Sequence, residues 1–192
     1  MLDIRALLVT MSAGYWFDMI YFPYDSEIAR IVAARFIILE GGHMNYTKLM
    51  KLMYLLERRS LIEAGSPVVG GRYVAMANGP LISQAYDAIK NNSWNGIQKQ
   101  GYDVWWSGDD SEVEDYLSEQ EERYIEELSH RFRKSDYGEL IEYTHRPENC
   151  PEWSKCVREG SSSGISLRDI PGCNADELEA YAREMSLFAS EE

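Results

Sequence analysis

The stretch from Asn45 to Pro80 restricts the fold more than any other part of the chain. Asn45 is a residue type that caps helices, because its side-chain oxygen can accept from the free N–H groups of a first turn. At about 3.6 residues per turn, Tyr46, Leu49, Met53 and Leu56 fall on one face, and Lys48, Lys51, Arg58 and Arg59 gather opposite. This predicts an amphipathic helix to about Ser60, with the basic face either solvent surface or part of an interface. Gly65 closes it and Pro67 prevents its continuation. Val68 to Met76 is rich in strand formers around a hairpin-like Gly70-Gly71, which predicts a short strand or hairpin. Asn78-Gly79-Pro80 then turns the chain, and Pro80 suits the first position of a helix carrying Leu81, Ile82, Ala85, Tyr86 and Ile89.

The flanking sequence adds more helix. Asp25 or Ser26 can cap a segment with Ile28, Ile31, Val32, Phe36 and Leu39 at helical spacing, stopped by Gly41-Gly42. Ser93 to Asp110 is turn-rich, with one apolar cluster at Tyr102 to Trp106 that reads as a strand. In a strand the adjacent Trp105 and Trp106 point to opposite faces, so one is a candidate for exposure and partner contact. Ser118 to Glu121 forms a capping-box pattern before Tyr124, Ile125, Leu128 and Phe132, and Ser135 to Thr144 suggests a short helix. His145 to Asp169 reads as loop, with a surface tip at Ser161 to Gly164 and a packed Trp153. Leu178, Tyr181, Ala182, Met185 and Phe188 predict a closing helix capped by Asn174. The expectation is a mainly α fold: a single compact helical domain over 25–192 with a small β-hairpin or short antiparallel sheet. Residues 1–24 form an apolar, aromatic N-terminal extension, docked or partly ordered, or an over-long start with Met11 or Met19 as the true beginning.

Composition narrows the function classes. The 45% hydrophobic content excludes wholesale disorder, and the formal charge of -13 argues against broad nucleic-acid binding. The charge is uneven: residues 109–192 hold 23 acidic and 9 basic side chains. That is a solvated face or a surface complementary to a basic partner. Three cysteines are too few for a disulfide scaffold, and no segment approaches the roughly 20 apolar residues that cross a bilayer. Asp3 and Asp18 interrupt the apolar N-terminus, which lacks a signal peptide's basic start. A cytoplasmic protein is expected.

Catalytic and cofactor patterns are weak. His145 lies near Glu142 and Glu148, an arrangement open to general-base chemistry, but the adjacent Pro147 and Trp153 favour a buried, hydrogen-bonded histidine that fastens the loop to the helices. His145, Cys150, Cys156 and Cys173 have zinc-ligand atom types without a close CxxC or HxxxH pair. Gly70-Gly71 lacks the ending of a phosphate loop, and Ser161 to Gly164 lacks a nucleophile elbow. No cofactor and no enzymatic activity are expected.

The order of these pieces carries a resemblance. Thr47-Lys48-Leu49-Met50-Lys51-Leu52-Met53-Tyr54-Leu55, then Gly65-Ser66-Pro67, then Tyr73 to Leu81 through Asn78-Gly79-Pro80, resembles the Panacea or SocA-like antitoxin domain. Thr144-His145-Arg146-Pro147-Glu148 with Trp153 is similar to the element that ends this domain, so the resemblance spans about Asp25 to Trp153. It implies a helical antitoxin that neutralises a protein toxin, encoded by the adjacent gene, through direct binding. It also implies, as an alternative, a proteolytic adaptor or phage regulatory protein that bridges a target to a protease. The expected partner-binding or motif residues are Lys48, Lys51, Tyr54, Arg58, Arg59, Asn78, Gly79, Pro80, Trp105, Trp106, His145 and Trp153.

Overall fold

The computed structural model describes residues 19–189. Most of the N-terminal extension expected over residues 1–24 therefore lies outside the described residues, including its aromatic run Tyr15 to Phe17 and the alternative start at Met11. In the described part, Phe22 is buried in the core and the Gly71 N–H donates to its carbonyl.

The fold is mainly helical, with two small three-stranded antiparallel sheets. In chain order the elements are α1 (Ser26–Leu39), β1 (His43–Asn45), α2 (Tyr46–Glu63), β2 (Tyr73–Met76), β3 (Gly79–Ile82), α3 (Ser83–Lys90), β4 (Ile97–Gln100) and β5 (Asp103–Trp106). A 3-10 turn at Asp110–Val113 leads to α4 (Glu119–Phe132), α5 (Tyr137–His145), α6 (Pro151–Cys156), β6 (Ser163–Gly164), a second 3-10 turn at Leu167–Asp169 and α7 (Ala175–Ala189). The sheets run β1-β5-β4 and β3-β2-β6.

Helix α2 is the centre of the molecule, touching α1, α3, α4, α5, β1 and β3. Asn45 caps it by accepting from the Thr47 N–H at 2.8 Å, and Gly65 follows its end at φ +67°. Every residue from Lys48 to Glu57 is buried, so this is an interior helix packed all round rather than a two-faced surface helix. Around it, α1 is capped by Asp25, α4 by the Ser118–Glu121 capping box and α5 by a second box, Asp136–Glu139. Tyr124, Ile125, Leu128 and Phe132 face inward on α4 as their spacing predicts.

The β elements depart from expectation at identifiable places. Val68 to Gly71 is not strand, because the N–H groups of Val68, Val69 and Gly70 all donate to the Glu57 side chain instead of a neighbouring strand. The hairpin turn is Ala77-Asn78, not Gly70-Gly71, with Met76 opposite Gly79. Pro80 lies inside β3 opposite Ala75, and the following helix starts only at Ser83. Proline is tolerated there because β3 is an edge strand, where a missing N–H removes no ladder bond. The tip at Ser161 to Gly164 is partly β6, paired with β2 at Val74 and Ala75, and the segment read as loop also contains α6. The strand expected at Tyr102 to Trp106 forms over Asp103–Trp106, between two partners that the sequence did not announce, β1 and β4.

Candidate functional site

Residues far apart in sequence converge on the Gly79 corner. Gly79 takes φ +97°, and a Cβ there would lie 2.7 Å from Thr144 Oγ1 and 3.1 Å from Lys51 Nζ. The position thus requires glycine for conformation and for space. Lys51 Nζ donates to the Pro80 carbonyl at 2.8 Å, satisfying an acceptor on the sheet edge. Thr144 turns its hydroxyl back to the Leu140 and Ile141 carbonyls, and Trp153 Nε1 donates to the Met76 carbonyl at 2.8 Å. His145 stacks on Trp153 with ring centroids 3.7 Å apart and planes within 4°. Lys51, Gly79, Pro80, Thr144, His145 and Trp153 therefore make one joint between α2, the β2–β3 hairpin, α5 and α6. Asn78 stands exposed at its tip.

The basic residues of α2 do not form one solvent stripe. Lys48 is buried and pairs with Glu40 at 2.9 Å, and Lys51 is 1% exposed with no carboxylate partner among the described residues. Burial lowers the Lys51 ammonium to about 7. Arg58 and Arg59 are half-buried: Arg58 pairs with Glu152, and Arg59 reaches Glu63 and Glu127 while lying 4.0 Å over the Tyr124 ring. The stripe is divided because helices and strands surround α2 on nearly every side, an arrangement a single helical wheel does not contain.

Two buried carboxylates organise this interior, and neither was singled out from the sequence. Glu57 accepts from the backbone N–H groups of Val68, Val69 and Gly70 and from the Tyr73 hydroxyl at 2.8–3.0 Å. Burial raises its pKa, and the four donors oppose that shift without cancelling it. A legible signal existed: Glu57 follows Met53 by four residues and Met50 by seven, an acid in the apolar stripe. Glu152, fully buried at the start of α6, accepts from the Tyr54 hydroxyl at 2.9 Å and Arg58 Nε at 2.8 Å. Nothing local in Cys150-Pro151-Glu152 announces that role. Beside it, burial pushes the Cys150 thiol up to about 12, so it carries little thiolate at neutral pH.

His145 is held differently from the sequence expectation. Its Nε2 is buried without a hydrogen-bond partner, and stacking on Trp153 fastens it. Burial and the nearby Lys51 lower its pKa, which favours the neutral imidazole. No hydrogen bond or ion pair joins it to Glu142 or Glu148, both exposed, so the carboxylate-steered base has no geometry here. Cys150, Cys156 and Cys173 are free thiols, and among the described residues no group of His, Cys, Asp or Glu could hold a metal ion. No described helix is long and apolar enough to cross a membrane.

On β5 the two tryptophans take opposite sides, as strand geometry requires. Trp105 is 37% exposed, whereas Trp106 packs against the core and donates from Nε1 to Asp110 at 2.9 Å. Neither belongs to the Gly79 joint.

A family model described as "Antitoxin SocA-like, Panacea domain" matches residues 49–154. The match covers α2 through most of α6 and so contains the entire joint. It ends one residue past Trp153 and starts later than the Asp25 boundary of the resemblance. No curated protein and no solved structure matches the chain.

Proposed function

The chain belongs to the SocA-like antitoxin family of Panacea domains, and from that premise we propose that it neutralises a protein toxin, the product of the adjacent gene, by binding it directly. Membership of the family is the observation that carries this reading. The geometry of the joint supports it: Lys51, Gly79, Pro80, Thr144 and Trp153 are spent on internal contacts that hold a scaffold, leaving recognition to exposed side chains around it such as Asn78. Binding needs no cofactor and no catalytic group. Expressing the adjacent gene alone should arrest growth, and co-expressing this chain should restore it with the toxin still abundant. A harmless neighbouring gene would overturn the reading. Restored growth with rapid disappearance of the toxin would replace masking by delivery to a protease.

A further inference from the structure

Around the Gly79 corner the surface is concave, aromatic and locally basic on an otherwise acidic molecule. Two cavities, about 110 and 460 Å³, meet at Met76, Leu81 and Tyr86. The smaller is walled by Tyr46, Lys51 and Asn78, the larger by Arg72, Asp87 and Ser162. Tyr46 links Tyr86, at 6.5 Å between ring centroids, to Tyr102, stacked on it at 6.0 Å with planes within 6°. Tyr102 is 71% exposed. Lys99 Nζ lies 5.4 Å from the Tyr46 ring and Lys90 Nζ 5.5 Å from the Tyr86 ring.

We propose that this face, from Tyr102 across Tyr46 and Tyr86 to Arg72, is the toxin-binding surface, and that it receives an acidic toxin segment presenting one aliphatic or aromatic side chain. The inference rests on the antitoxin reading and assigns it a place and a chemistry. Tyrosines with their apolar bodies already fixed against neighbours lose little side-chain entropy on binding, and methionine and leucine provide an adaptable floor. The cations decide the sign of the partner. Arg72, Lys90 and Lys99 form no ion pair among the described residues, as is also true of Arg123, Arg133 and Arg146; what sets them apart is position, Lys90 over the Tyr86 ring, Lys99 over the Tyr46 ring and Arg72 in the wall of the larger cavity. Asp87 is the one acid lining either cavity. On a chain whose whole formal charge is -13, these three cations beside an aromatic groove are a local exception, and at contact range they complement carboxylates on the partner.

The test is binding of the purified adjacent-gene product to the full chain, measured by calorimetry at two salt concentrations. Lys90→Glu with Lys99→Glu, and separately Tyr86→Ala, should each weaken binding about tenfold or more, and the loss from the charge pair should shrink in high salt. Arg131→Glu with Arg133→Glu, an equal charge change at the C-terminal end of α4, should leave affinity within about twofold. Thermal melts identify a loss due to unfolding, and Lys90 and Lys99 lie on the surface rim, so their substitution keeps the test meaningful. Unchanged affinity in both the lysine pair and Tyr86→Ala overturns the surface assignment while leaving the antitoxin reading in place. Failure of the unmodified chain to bind overturns both. A dimer of this chain, or a retained oligonucleotide, that the lysine substitutions release would assign the face to that occupant and overturn the proposal.

Discussion

Lys51, Glu57 and Gly79 show what single residues contribute. Burying the Lys51 ammonium holds it near 7, while in the unfolded chain it titrates near the ordinary lysine value of about 10.4. Between those values the unfolded state binds more protons, so this group makes stability rise with pH from about 7 upward and contributes a constant penalty below it. Cys150, raised to about 12, acts oppositely once pH passes the unfolded thiol value of about 8.5. Comparing urea denaturation at about pH 6 and about pH 8.5, Lys51→Met should remove roughly 2 kcal/mol of the wild-type gain across that window. Glu57→Gln puts an amide N–H₂ against donors already aimed at a carboxylate and should cost about 2–3 kcal/mol in the same assay. Gly79→Ala meets both a φ of +97° and the Thr144 hydroxyl, and should cost about 2–4 kcal/mol. Each depends on partners 10 or more residues away, such as Val68 for Glu57 and Thr144 for Gly79. This is why the sequence exposed the glycine's role only in part, and Glu57's only as an acid placed in an apolar stripe, without its partners.

At the scale of elements, caps were legible because they are local. Asn45, Asp25 and Ser118 each immediately precede the helix they cap, and Gly65 lies just past the end of the one it closes. The short pieces were not. Helix α6 has six residues and no side-chain cap bond, and it is held by Trp153 to Met76 and Glu152 to Tyr54 and Arg58. Trp153→Phe keeps a ring to stack on His145 but leaves the Met76 carbonyl without its donor. It should lower stability by about 1–2 kcal/mol and raise amide exchange in α6 ahead of α4, measured by hydrogen exchange. Strand β6 pairs over two residues, too few for any alternation to appear, and β4 reads Ile-Gln-Lys-Gln, which is indistinguishable from loop without β5 beside it. Pro80 signalled a helix start by its residue type, and only the edge position of β3 makes a strand acceptable there.

Across the whole molecule, the excess of acid in residues 109–192 is carried largely on exposed faces, for example Glu119, Glu126 and Glu127 on α4 and Glu177 and Glu184 on α7. Like charges held together in the folded state repel, and salt screens that repulsion over about 8–10 Å at physiological strength. Raising sodium chloride from about 0.02 to 0.3 M at neutral pH should therefore raise the melting temperature in calorimetry. A fall would mean that the surface ion pairs outweigh the net charge. The sequence by itself determined the helical class, the caps of several long helices and the family, because capping, periodicity and an ordered set of short motifs are properties of neighbours along the chain. Only the tertiary structure decided that α2 is interior, that Lys51 and Glu57 are buried on it, and that the Asn45 to Pro80 stretch meets Thr144, His145 and Trp153 in one joint. Burial is set by what packs on every side of an element, and those neighbours come from sequence positions tens of residues away.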